Sequence, residues 1–153
     1  MFIFDVIVGI KSITSPMEAE FLFENNYVTA TYLDESRTLL CIVKTSYIPM
    51  ADFQVTFNKM EASTQDRPIT TMVFDKSKLT TFHQPSMEWY HVHWKEKMYD
   101  RGLKMYRKVL PSNEFFVQSV QVGRQNIRKN NPNFDFGKYD IQYFDTLEAA
   151  LSS

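Results

Sequence analysis

Between Tyr27 and Lys44 an alternating segment, YVTATYL, runs through a four-residue polar turn, DESR, into an unbroken β-rich apolar stretch, TLLCIVK. Val28, Ala30 and Tyr32 fall on one face of the first segment and threonines on the other, the period-2 pattern of a half-buried strand. The second segment has no polar face and suits a strand covered on both sides. A turn this short joins the two as an antiparallel hairpin.

The rest of the chain alternates between the two periods. Pro49 suits a first helical position, and Met50, Phe53, Phe57 and Met60 then recur at helical spacing. QDRP breaks that helix and ITTMVFD reads as the next strand. Pro85 opens a second helix with a stripe at Met87, Tyr90, Trp94 and Met98, stopped by Gly102 in a Schellman-type cap with Leu103 behind it. LKMYRKVL is a strand, and the helix after it has Ser112 as N-cap and Phe116, Val120, Gly123 and Ile127 on one face. YDIQYF is a further strand, and DTLEAALSS a last helix with Asp145 and Glu148 in a capping-box arrangement. The order predicts an α/β domain: a mixed five-stranded sheet with four helices, built after its hairpin from right-handed βαβ crossovers.

At 153 residues the chain suits one domain. Residues 1–20 read as a leader and 21–153 as the domain; KSITSPMEAE is taken as a linker or irregular segment. The opening MFIFDVIVGI lacks a basic n-region and a cleavage pattern, and is too short to span a bilayer, which takes about 20 residues. It reads as a strand-like segment packing on the domain or on a second subunit, so a homodimer is one expectation. A net charge of −1 gives no overall attraction to nucleic acid or anionic lipid. The one cysteine, Cys41, sits in an apolar run, which excludes an internal disulfide, disfavours a catalytic thiol and suits the reducing cytoplasm.

YDRGLKMYRKVLPSNEFFVQS and the closing IQYFDTLEAAL resemble a small bacterial group with SpoIIAA-like folds, within the STAS class named for sulfate transporters and anti-sigma factor antagonists. The resemblance covers roughly Phe21 to Leu151. It implies a non-enzymatic, cytoplasmic interaction domain, in which a serine or threonine opening the helix after the third strand accepts a phosphate. The stretch corresponding to that motif here is His83, Gln84, Pro85 and Ser86; Pro85 holds the acceptor position and Ser86 follows one residue later. Related folds bind lipids or nucleotides.

Residues 83–94, HQPSMEWYHVHW, hold all three histidines and both tryptophans. His91 and His93 are two apart, about 200° around a helix, and cannot face one metal together. Glu88 and His91 are three apart and, with His83 from the loop, form the one metal-binding or hydrolytic arrangement the spacing allows. The alternative is packing: His91 as a boundary residue beside the stripe, His93 against Trp89. No glycine-rich phosphate loop or nucleophile elbow is present, and no cofactor is implied. Asp75 and Asp145 end strands, as an acid/base pair if close and otherwise as turn and cap residues. Arg124, Arg128 and Lys129 read either as a contact for RNA or an acidic partner or as a solvated outer face, with no aromatic platform beside them.

Ligands of open α/β sheets favour the carboxyl ends of parallel strands. That edge collects Lys44, Thr45, Ser46 and Tyr47, then Asp75, Lys76, Ser77, His83 and Ser86, then Ser112 and Asn113. Such hydroxyl-rich loops bind an anion or a partner's loop, or are plain solvated connections. The expected function is a regulatory binding module for a protein partner or small anionic ligand, with binding residues Thr45, Ser46, Tyr47, Asp75, Ser77, His83, Ser86 and Ser112. The alternative is a lipid or small-ligand carrier with an apolar cavity of about 300 Å³ or more between helix and sheet.

Overall fold

The computed structural model describes residues 19–153. Six strands form one sheet in the order of the chain: β1 (Ala19–Glu24), β2 (Val28–Leu33), β3 (Thr38–Val43), β4 (Thr71–Asp75), β5 (Met105–Val109) and β6 (Asp140–Phe144). β1, β2 and β3 pair antiparallel, and β3 to β6 are parallel. The expected hairpin is present, with Val28 opposite Val43 and the turn closed by Arg37 N–H donating to the Asp34 carbonyl at 3.3 Å.

The sheet thus has six strands, not five. The additional strand is β1, whose residues 19 and 20 fall in the segment read as a linker. A register shift between Phe21 and Phe23 explains why it escapes a period-2 reading: the irregularity breaks the alternation, leaving Phe21 59% exposed and Phe23 buried. β2 is also more deeply placed than expected, since Thr29 and Thr31 are buried along with Val28, Ala30 and Tyr32. The expectations for the segment before Ala19, including a dimer built on it, lie outside the described residues.

Four helical rods complete the domain. α1 (Met50–Ser63) joins β3 to β4 and buries Thr56, Phe57 and Met60; Pro49 is its N-cap, one place before the position expected. α2 joins β4 to β5 and is continuous but not uniform, running as Gln84–Trp89, a π-helical turn Tyr90–Trp94, and Lys95–Asp100. It ends as the Gly102 pattern requires: Leu103 N–H donates to Met98 O and Gly102 N–H to Tyr99 O, both at 3.0 Å, with Gly102 at φ 103°. α3 (Glu114–Asn130) joins β5 to β6 and buries the four residues anticipated. Its N-cap is Asn113, which accepts from Phe116 N–H at 3.2 Å, and not Ser112. α4 (Leu147–Ser152) is capped by Thr146 rather than Asp145: the threonine Oγ1 accepts from Ala149 N–H, so Glu148 does not occupy the third position of a capping box.

The main core lies between one sheet face and α1 and α2, with Phe57, Phe74, Tyr90 and Trp94 in mutual ring contact. Leu40, Val73 and Val109 point to the opposite face, where Ala150 of α4 covers them. Because residues alternate along a strand, Tyr106 and Lys108 of β5 share the main-core face with Phe74 of β4. Pairing sets Phe74 beside Lys108 and Lys108 beside Tyr143.

Candidate functional site

The parallel strands end in loops at 44–49, 76–83, 110–113 and 145–146. The first two are tied together, since the Ser46 carbonyl accepts from Thr80 N–H at 2.9 Å and from Thr81 N–H at 3.3 Å. Thr45 Oγ1 donates to the Tyr47 carbonyl. Tyr47 and His83 meet edge to face with ring centroids 6.4 Å apart. His83 is the N-cap of α2: its Nδ1 accepts from Ser86 N–H and lies 2.8 Å from Ser86 Oγ. Ser86 is buried, while Ser77 is exposed. Asp75 Oδ1 accepts from Ser77 N–H at 2.9 Å, the turn role foreseen for it.

Of the anticipated residues, Tyr47, His83 and Ser86 line one cavity of about 70 Å³, against the roughly 10–15 Å³ a single water needs. Thr45, Ser46, Asp75 and Ser77 shape the loops around it without lining it. Ser112 is elsewhere, in a separate groove of about 630 Å³ beside α3, with Asp145, Arg124 and Tyr143. The cavity's other walls include Lys76, Phe82, Tyr90 and His91.

Behind that wall lies an arrangement the sequence reading did not contain. Lys95, on the π-to-α junction of α2, is fully buried, and Lys108 of β5 is 2% exposed. Lys95 Nζ is 3.3 Å from His91 Nδ1 and sits over the rings of Tyr106 and Tyr139, at 4.2 and 4.1 Å from their centroids. Lys108 Nζ has more distant rings, Tyr90 at 5.1 Å and Tyr106 at 5.9 Å. Arg124 of α3 approaches from another side, donating from Nη1 to Tyr143 Oη at 3.0 Å. Among the described residues, the ion pairs are Lys44–Glu24, Arg67–Glu20, Lys97–Glu61, Arg107–Asp140 and Lys138–Glu96; none includes Lys76, Lys95, Lys108 or Arg124. The Tyr90 and Tyr106 hydroxyls and Arg124 Nε are buried without a hydrogen-bond partner.

An ammonium removed from water without a counter-charge is costly, by several kcal/mol even after relaxation. The amines respond accordingly. Burial holds Lys95 and Lys108 well below the usual lysine range, reinforced for Lys95 by Arg124 and Lys76, with Glu96 acting the other way, and for Lys108 by Lys95, Lys76 and Arg124. Half-buried Lys76 is lowered to about 8 by burial and Arg124. The His91 imidazole is also pushed well down, first by burial and then by Lys108 and Lys95, so it is neutral and its Nδ1 shares a hydrogen bond with Lys95 Nζ. Burial drives the Tyr90 and Tyr106 hydroxyls upward, keeping them neutral donors. The group is therefore a set of amines, an imidazole and hydroxyls able to donate hydrogen bonds, with no ion-paired carboxylate, among the described residues, on Lys76, Lys95, Lys108 or Arg124.

Several expectations for this region change. His91 is buried at 2% exposure, not a boundary residue. His93 is exposed. His83, Glu88 and His91 do not converge: His83 caps α2, Glu88 accepts from Asn130 Nδ2, and His91 meets Lys95. Among the described residues, no group of three or more His, Cys, Asp or Glu side chains is placed to hold a metal. Arg124 is half-buried, whereas Arg128 and Lys129 are exposed as the outer-face reading has them; Phe136 packs under Arg124 and Arg128 at 4.8 and 4.7 Å but is itself buried. Burial and then Asp75 push the Cys41 thiol up, leaving it unreactive.

Close packing of α3 on α2 holds the cavity shut from the side. A Cβ on Gly123 would meet Phe82 Cζ at 2.7 Å and Met87 Sδ at 2.8 Å, and both residues line the cavity. Gly123→Val is expected to destabilise the fold by about 1–3 kcal/mol, measured by urea unfolding, and an unchanged midpoint would mean α3 does not pack this tightly.

Comparison of the chain with family models, with curated proteins and with solved structures finds no match. No helix of the described residues is long and apolar enough to cross a membrane.

Proposed function

We propose that the chain is a binding module of SpoIIAA-like type that holds a small anionic ligand at the carboxyl edge of its sheet. Lys76, Tyr90 and His91 form the near wall of that site, and Lys95 and Lys108 stand behind it. The observation that carries this reading is the pair of buried lysines without a carboxylate partner. A fold keeps such a pair at a cost to its own stability, and an anion entering between them removes that cost. The unpaired Tyr90 and Tyr106 hydroxyls add neutral donors to the same place.

The volume favours a headgroup-sized ligand over a whole acyl chain. A carrier of lipid needs several hundred Å³ of enclosed apolar space, whereas the cavity under Tyr47 has about 70 Å³. The larger groove beside α3 joins Leu110, Val117, Val120 and Phe144 to Ser112, Arg124 and Asp145, and at about 630 Å³ it is where an amphipathic small ligand would fit on the carrier reading. Recognition of a protein partner through the Tyr47 and His83 surface is compatible with the same site, its acidic side chain being the anion.

Thermal unfolding with added small anions tests the proposal. Phosphate, sulfate and citrate, each compared with sodium chloride at equal ionic strength, are expected to raise the midpoint. A ligand at 100 times its dissociation constant contributes about 2.7 kcal/mol. If no anion exceeds the chloride control, the reading fails.

A further inference from the structure

We infer that the groove beside α3 is a binding site for a monocarboxylic acid with an apolar body, its carboxylate held by Arg124 and Tyr143. This rests on the carrier reading of that groove and is independent of the anion site at the sheet edge, with whose cavity the groove shares only Val120.

The groove lies along an open side of the sheet, since β6 pairs only with β5 among the described strands. α3 supplies one wall with Val117, Val120, Gln121 and Arg124, which at i, i+3, i+4 and i+7 share one helical face. Val117 and Arg124 are about 10 Å apart along the helix axis. That wall therefore runs from apolar to cationic. α3 returns from the carboxyl edge between two parallel strands, so Val117 is at the edge and Arg124 further back. Val109 pairs with Phe144, which sets Leu110 and Asp145 at the Val117 end. Tyr143 stands with Arg124. The volume of about 630 Å³ is within the roughly 300–1,000 Å³ of small-molecule sites.

The cationic end has donors to spare. Arg124 Nη1 donates to Tyr143 Oη at 3.0 Å, so the tyrosine oxygen accepts and its own proton is left to donate outward. Arg124 keeps its Nη2 donors, its Nε is buried without a partner, and among the described residues no carboxylate pairs with it. A guanidinium and a hydroxyl side by side match the two oxygens of one carboxylate. Arg124 is half-buried over the Phe136 ring, where its charge is screened less than that of a surface arginine. The opposite end limits the ligand to one charge. Asp145 is exposed and satisfied by water, whereas a second carboxylate placed there would face Asp145 and lose its own hydration against Leu110, Val117 and Phe144. Hydrocarbon suits that end.

Isothermal titration near neutral pH with decanoate, decylamine and decanedioate is the test, the three sharing a chain length and differing in charge. Decanoate is expected to bind at least about tenfold more tightly than either of the others. Arg124→Gln is expected to weaken decanoate by at least about tenfold, and Tyr143→Phe by about two- to tenfold. Thermal unfolding checks that Arg124→Gln is folded; Tyr143, 44% exposed, can lose its hydroxyl without touching the core and tests the site on its own. Decylamine or decanedioate binding as tightly as decanoate, or unchanged decanoate affinity in the folded variants, would overturn the inference and leave the carrier reading standing. Displacement of decanoate by phosphate, beyond the effect of sodium chloride at equal ionic strength, would place the acid in the Lys76 cavity and overturn it as well. If none of the three amphiphiles binds, the carrier reading falls with it, and the anion site at the sheet edge is untouched.

Discussion

Replacing Lys108 by methionine is expected to make the ligand-free protein more stable, by about 1–4 kcal/mol. Methionine keeps the length of the side chain and fills the space between Phe74 and Tyr143 without an amine to desolvate. Lys108 is the better choice than Lys95, because Lys95 has His91 and two close rings to offset its burial, while Lys108 has only the more distant rings of Tyr90 and Tyr106. Each kcal/mol should raise the thermal midpoint by roughly 2–4 °C in a chain of this size. A fall in midpoint would mean that the amine is paired in the folded state.

The same substitution should flatten the dependence of stability on pH, and the sign follows from linkage. A lysine whose folded pKa lies below its unfolded value of about 10.4 binds fewer protons folded than unfolded between those two values. Stability therefore rises with pH through that window. For Lys76 it opens at about 8; for Lys95 and Lys108 the direction is the same. Above about pH 10 the tyrosines act the other way, since their folded values are raised and the unfolded chain loses those protons first. Urea unfolding of the parent between about pH 8 and 9.5 should show increasing stability, and Lys108→Met a smaller slope.

Trp94→Ala is expected to cost about 3–5 kcal/mol, the largest loss of any single substitution considered. Trp94 is fully buried, its ring meets Phe57 at 5.0 Å between centroids and stacks on Tyr90, and its Nε1 donates to the Phe57 carbonyl at 2.8 Å. The substitution empties the space between α1 and α2 and leaves that carbonyl without its indole donor. Trp94→Phe restores most of the volume but not the donor, so it should recover stability only in part. The difference between the two variants in urea unfolding measures packing against hydrogen bonding at this position. A loss under about 1 kcal/mol in the alanine variant would place the indole outside the core.

Periodicity made most of the elements legible. The hairpin, the helix stripes through Phe57 and Met60 and through Tyr90, Trp94 and Met98, and the Gly102 stop all follow from local spacing, because each is set by neighbours within a few residues. β1 did not, since its irregularity destroys the alternation that marks a strand. Two cap assignments slipped by one residue because neighbouring short polar side chains compete for the same free N–H groups, as at Ser112 and Asn113 and at Asp145 and Thr146.

The candidate site was legible in location more than in composition. The loops at the carboxyl edge are fixed by the order of elements, and Tyr47, His83 and Ser86 do line the cavity there. Lys95 and Lys108 were hidden by an ordinary assumption, that lysine on a helix or strand reaches solvent. One signal was available: Lys108 falls in a strand flanked on both sides by others and covered by helices, where a long cation has no exit. The widened turn at Tyr90–Trp94 is not written in the 3.6-residue spacing, and it is at this turn that His91, Trp94 and Lys95 all turn inward.

Sequence alone thus determined, apart from β1, which segments are strands and helices and which edge gathers the loops, because backbone propensity and apolar period act over short distances. Only the tertiary structure decided that Lys95 of α2 and Lys108 of β5 are both buried at the rings of Tyr90 and Tyr106 with no ion-paired carboxylate among the described residues. Charge burial depends on what other segments bring to the same point, and no local pattern encodes that.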